Sequence, residues 1–137
     1  MENTLPDIPS WRIEDAIQSA QLLADHRVDA VAVVAGGIHK LQDLAIKSGP
    51  AYFSTFSGAI KAAAGHRLMV TTVGGIYSGA VAEDVIQQNK ADACYAGRWF
   101  QKNPGLVWQF AEELGVQITQ ARQIEWGFFG RGVGRPQ

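Results

Sequence analysis

The feature that most constrains this chain is a pattern met three times: an apolar run, rich in alanine or β-branched residues, that stops at glycine. Val28-Asp29-Ala30-Val31-Ala32-Val33-Val34-Ala35 ends at Gly36-Gly37, Leu68 to Val73 ends at Gly74-Gly75, and Ala91 to Ala96 ends at Gly97. Runs this short and continuous suit strands covered on both faces, as in a parallel sheet, better than the alternation of a sheet with one wet face.

The intervening segments have helical spacing. Trp11, Ile13, Ala16, Ile17, Ala20, Leu23 and Ala24 share one face of a helix over 11–27, with Ser10 as its N-cap and Glu14 inside the first turns. Residues 38–56 are irregular and carry the aromatics Tyr52, Phe53 and Phe56. A short helix over 56–65 ends on Gly65. Ser78 caps a helix over 79–89 that turns Ala80, Ala82, Val85 and Ile86 inward. Pro104 opens a last helix to Leu114, stopped by Gly115, and the tail from Gly127 carries Gly130, Gly132 and Gly134 and is expected to be flexible. The order α-β-α-β-α-β-α predicts an α/β fold with parallel strands. Three strands bury little and leave both sheet edges open, and a helix precedes the first strand, so the unit reads as part of a larger fold. The expected division is a polar segment over 1–10, the α/β unit over 11–127 and a glycine-rich tail over 128–137.

Charge and composition narrow the function. Twelve basic and thirteen acidic residues give a net charge of -1, which is no footprint for a nucleic acid. No apolar run approaches the ~18 residues of a membrane span, and Met1 to Ser10 has neither the basic nor the apolar region of a signal peptide. The single cysteine, Cys94, permits no internal disulfide and fits a reducing, cytoplasmic setting; mid-strand, it reads as a core residue.

Ligands of parallel α/β folds bind at the C-terminal ends of strands, where all three glycine stops fall. Glycine there lets backbone N–H groups approach an anion, the helix after Ser78 adds a positive dipole end, and Arg98 offers a planar fork for a phosphate. Gly74, Gly75, Gly97 and Arg98 are therefore the candidate phosphate residues. The alternative is that the glycines only make tight turns and Arg98 is an ordinary surface side chain. Neither a P-loop nor a Gly-x-Gly-x-x-Gly motif is present. His26 and His66 fall at the N-terminal ends of strands and read as solvated turn residues; His39 reads as a loop residue on the ligand side. Glu83-Asp84 and Glu112-Glu113 read as solvated helix faces, while Trp99, Phe100, Trp108 and Phe110 read as packing residues. No catalytic or metal-binding residue is assigned.

Val73-Gly74-Gly75-Ile76, the helix with Ala82-Glu83, then Ala91-Asp92-Ala93-Cys94-Tyr95-Ala96-Gly97-Arg98 and Asn103-Pro104 resemble the end of old yellow enzymes, the FMN-dependent NADH:flavin oxidoreductases. Upstream, Val28-Asp29, Ala35-Gly36-Gly37, Pro50, Tyr52 and Ile60-Lys61 resemble the preceding strand, loop and helix, although Ala35 stands where relatives often have serine. The resemblance spans residues 11 to 127 and implies a partial (βα)8 TIM barrel, about the last three parallel strands with their helices. It implies FMN as cofactor, with Gly97 and Arg98 as the leading phosphate contacts and Gly74 and Gly75 next, and NAD(P)H as electron donor in the complete enzyme. The family's His-His or His-Asn pair, its tyrosine proton donor and its flavin-ring contacts belong to earlier strands and have no counterpart here. Arg131 and Arg135 lie in a setting unlike the terminal arginine some relatives place in a neighbouring subunit. The expected role is the FMN-binding portion of an ene-reductase-like oxidoreductase, completed by an N-terminal half-barrel chain or by self-association. The alternatives are a non-catalytic phosphate-binding or self-associating module, and a truncated product without activity.

Overall fold

The computed structural model of the chain describes residues 10–36 and 48–129. The elements run α1 (Ile13–Asp25), β1 (Ala30–Val33), α2 (Ser54–Ala64), a 3-10 turn (Gly65–Arg67), β2 (Met69–Val73), α3 (Gly79–Gln87), β3 (Ala93–Tyr95), α4 (Gly97–Lys102), α5 (Leu106–Leu114) and α6 (Trp126–Phe129). All three strands are parallel, in the order β1-β2-β3. Spatial order therefore follows chain order, with no reversal of the kind that marks a doubly wound sheet.

The register places α1, α2, α3 and α5 on one face. Val31 lies beside Val70, and Val33 beside Thr72, which in turn lies beside Cys94. Val31, Val33 and Val70 pack with Ala20 of α1 and Ile60 and Ala64 of α2. Cys94 packs with Val85 and Ala82 of α3 and with Leu106 of α5. Side chains alternate along a strand, so the other face carries Ala30, Ala32, Met69, Thr71, Val73, Ala93 and Tyr95. Met69 and Tyr95 are half-exposed there, and Ala30 and Ala32 are exposed. Among the described residues the strands are thus covered on one face and only partly covered on the other, where Thr71 is buried; their continuous apolar character had suggested cover on both. Same-direction winding with helices on a single face is how a segment of a (βα)8 barrel is built.

Several element ends differ from the sequence expectation. Arg12, not Ser10, is the N-cap of α1; its backbone N–H donates to the Asp15 carboxylate at 2.8 Å. In α3 Ser78 does cap, accepting from the Val81 N–H at 3.3 Å, and Val85 is buried, but Ala80 and Ile86 face solvent. The alanine-rich pattern of α3 suits a wider apolar stripe than its neighbours cover. Pro104 does not open α5. It lies in a turn where the Asn103 side chain accepts from the Gly105 N–H at 2.9 Å and donates to Gln109 at 2.8 Å. That turn separates α5 from α4, an extra six-residue helix. Trp99 and Phe100 on α4 are surface residues, 40% and 42% exposed, rather than packing residues. Trp108 is half-buried and meets Phe128 of α6 edge-on at 4.8 Å. The remaining tail, with Arg131 and Arg135, lies outside the described residues, as do Gly37 and His39.

A polar tie locks the N-terminal ends of the strands. Asp92, just before β3, accepts a hydrogen bond from the buried Lys61 ammonium of α2 and another from the Val70 N–H at 2.8 Å. Its own N–H donates to the Val70 carbonyl at 2.7 Å. Burial acts to raise the Asp92 pKa, but the Lys61 and Val70 hydrogen bonds and the charges of Lys61 and His66 outweigh it and hold the carboxyl below its ordinary value. Conserving strand register at this end is a task of stability rather than ligand binding in a barrel. His26 and His66 sit at this same end, both exposed, as expected of turn histidines.

Candidate functional site

At the opposite, C-terminal end, β2 and β3 last pair at Val73 and Tyr95. Gly74-Gly75 and Ala96-Gly97 therefore leave the sheet side by side, which brings the four candidate residues to one rim. Their surroundings divide them into two pairs.

Gly74 and Gly75 are held inside the fold. Both adopt positive φ, +94° and +70°, a region that disfavours any Cβ. A Cβ at Gly74 would lie 2.5 Å from the Tyr52 ring, and one at Gly75 would lie 2.0 Å from the Gly49 carbonyl oxygen. The Ala51 N–H donates to the Gly75 carbonyl at 3.2 Å. These glycines are required by the 49–52 segment that lies across them. The expectation that they are bare for a ligand is thus met by a neighbour from their own chain on that side.

Gly97 and Arg98 are the reverse case. A Cβ at Gly97 would meet nothing within 4 Å, and Arg98 is exposed. Among the described residues the Arg98 guanidinium has no hydrogen bond or ion pair, and no side chain caps the start of α4. This is the part of the rim with free donors. Tyr77 and Trp99 stand near it with ring centroids 6.4 Å apart, and the Lys102 ammonium lies 4.6 Å over the Trp99 ring.

The helix dipole expected to serve an anion after Gly75 is already used. The Glu113 carboxylate of α5 accepts from the Gly79 N–H at 2.6 Å and from Gln109 at 2.8 Å. The Gln109 and Gly79 hydrogen bonds lower its pKa against a smaller opposing effect of burial. With Ser78 accepting from Val81, two of the N–H groups in the first turn of α3 are bonded within the chain. Glu113 is exposed, as expected of a helix-surface acid, and it also caps α3. Thirty-four positions separate it from Gly79, so no local sequence signal could have paired them. Glu83 and Asp84 do behave as a helix surface, accepting from Gln87 and Gln88 one turn on. Cys94 sits on the helix-covered face, and burial pushes its thiol pKa up, which fits a core residue rather than a nucleophile.

Two clefts, of about 190 and 180 Å³, lie elsewhere: one at the end of β1 between Trp11, Val34, Gly36 and Phe56, the other between Trp108, Glu112 and Phe128. Neither is lined by the four rim residues. No helix among the described residues is long and apolar enough to cross a membrane.

The chain is similar to a curated NADH:flavin oxidoreductase and to curated NADPH dehydrogenases. The chain is 50% identical over 123 residues to an NADH:flavin oxidoreductase of Gibberella zeae, a match covering 90% of the chain and 30% of that protein. It is 34% identical over 113 residues to an NADPH dehydrogenase of Bacillus pumilus, covering 82% of the chain and 32% of the relative. It is 31% identical over 116 residues to an NADPH dehydrogenase of Geobacillus thermodenitrificans, covering 85% and 33%. No family model matches the chain. The chain spans about a third of the length of the curated relatives it matches. Over that third, its sequence matches an NADH:flavin oxidoreductase and NADPH dehydrogenases, consistent with a C-terminal part of an old yellow enzyme family member.

Proposed function

We propose that the chain forms the FMN-phosphate side of an NAD(P)H:flavin oxidoreductase, corresponding to the last three βα units of its (βα)8 barrel. The observation that carries this is the rim at the ends of β2 and β3. Among the described residues, Gly97 stands in open space and Arg98 keeps its guanidinium free, beside a glycine turn on the adjacent strand. A phosphate in such a barrel sits at its last strands, and a bidentate arginine with unshielded backbone N–H groups is the chemistry that recognises it. The flavin and nicotinamide in the relatives' names fit that ligand. When bound, FMN supplies the hydride-accepting group; the residues here bind and orient its phosphate end. Among the described residues, the partly uncovered sheet face and the unpaired edges of β1 and β3 call for further strands to complete the barrel wall. Those strands would carry the groups that hold the alkene substrate. The same open edges favour a second reading, self-association of the unit through its sheet.

The test is a titration of FMN with the chain, followed by visible absorption. The expected result is a perturbed flavin spectrum, with affinity weakened about tenfold or more by Arg98→Ala, the loss of a charge-assisted contact. A flavin spectrum unchanged by the unsubstituted chain would overturn the FMN reading. A light-scattering mass that stays monomeric would dispose of self-association.

A further inference from the structure

We infer that the segment Gly49–Tyr52 is a positioning element for the phosphate site, acting as a clamp on the Gly74–Gly75 turn; this rests on the FMN reading above. Three contacts build the clamp. The Tyr52 ring lies over Gly74, the Gly49 carbonyl lies against Gly75, and the Ala51 N–H holds the Gly75 carbonyl at 3.2 Å. Tyr52 is itself braced by Phe53, with ring centroids 4.5 Å apart. Ala51 is buried and adopts φ +45°, a left-handed conformation in which a Cβ is disfavoured. An alanine stays there only when its surroundings over-determine it, and such strain collects at sites where geometry matters.

The consequence for a ligand follows from the peptide plane. No peptide bond among the described residues is cis. The carbonyl of Gly75 and the N–H of Ile76 therefore point in opposite directions within one plane. With the carbonyl drawn to Ala51, the Ile76 N–H is directed away from the clamp, and it has no partner among the described residues. Ile76 is itself buried, so an anion meets this donor only when seated directly against the turn. Releasing the clamp would let the peptide rotate and present carbonyl lone pairs instead, which repel phosphate. Tyr52 and Ala51 thereby act on the ligand through Gly75.

The test compares binding of FMN and of riboflavin, which has the same ring and ribityl chain without the phosphate, to the full chain by flavin fluorescence. The unsubstituted chain is expected to prefer FMN. Tyr52→Ala should cut that preference by about tenfold, the equivalent of one hydrogen bond to a charged group, while leaving riboflavin affinity unchanged. Tyr52→Phe keeps the ring over Gly74 and should keep the preference. Ala51→Gly relaxes the strained φ at the loss of only one buried methyl, so it should still fold and should lose the preference several-fold. It decides the matter if Tyr52→Ala does not fold. An undiminished FMN preference in Ala51→Gly and in any folded Tyr52→Ala would overturn the clamp and leave the FMN reading standing. A loss in Tyr52→Phe equal to that in Tyr52→Ala would also overturn it, by assigning the effect to the hydroxyl. No FMN preference in the unsubstituted chain would overturn the FMN reading itself, and the clamp with it.

Discussion

Gly75→Ala is expected to destabilise the chain by about 3–4 kcal/mol, the sum of a left-handed alanine and a forced backbone displacement. The added methyl would lie 2.0 Å from the Gly49 carbonyl oxygen and 3.0 Å from the Ala51 nitrogen, and neither is a side chain that can swing away. Urea denaturation followed by circular dichroism would show the midpoint falling with little change in slope. Gly97→Ala is the matched control. It has open space, no positive φ and a place in the first turn of α4, so its midpoint should hold or rise slightly. Equal losses in the two variants would refute the division of the rim into a structural pair and a ligand-facing pair.

Asp92→Ala is expected to cost about 3 kcal/mol, because it strands a buried ammonium. The Lys61 side chain is 8% exposed whereas that of Asp92 is 36% exposed, so the two halves of the pair are not equivalent. Lys61→Met leaves a carboxylate that water can reach and that still accepts from Val70, and should cost markedly less. The pair also sets an acid limit. A carboxyl whose folded pKa is depressed contributes stability fully above its unfolded pKa and loses it as pH falls through the folded value. Stability should therefore decline below about pH 4, and Asp92→Ala should flatten that decline. Thermal melts of both chains from pH 3 to 7 would check this. Parallel pH profiles would show that Asp92 is not the group responsible.

What was legible in the sequence was what short-range chemistry writes into it. Continuous apolar runs stopped by glycine located the strands, because extended chain needs β-branched and small side chains and a sharp exit needs glycine. Apolar spacing located α1, and Gly65 and Ser78 marked helix ends, because a left-handed residue and a hydroxyl satisfy backbone groups that a helix leaves over. The order of Val-Gly-Gly-Ile, Ala-Asp, Gly-Arg and Asn-Pro was enough to point to the family that the relatives show.

Only the tertiary structure decided what those residues do. The glycines at 74, 75 and 97 look alike in sequence, yet two lie under the 49–52 segment and one stands in the open, a difference made by a loop more than twenty residues away from each pair. Glu113 looks like any helix-surface acid until α5 packs on α3 and brings it to the Gly79 N–H. Asp92 carries no sign in the sequence of its partners, but register with β2 and the packing of α2 make it the tie between Lys61 and Val70. Residue type and spacing determined which backbone conformations were available and which chemistry could be assembled. Which groups satisfy one another, and which remain free to meet a ligand, was decided by contacts between segments distant in the chain.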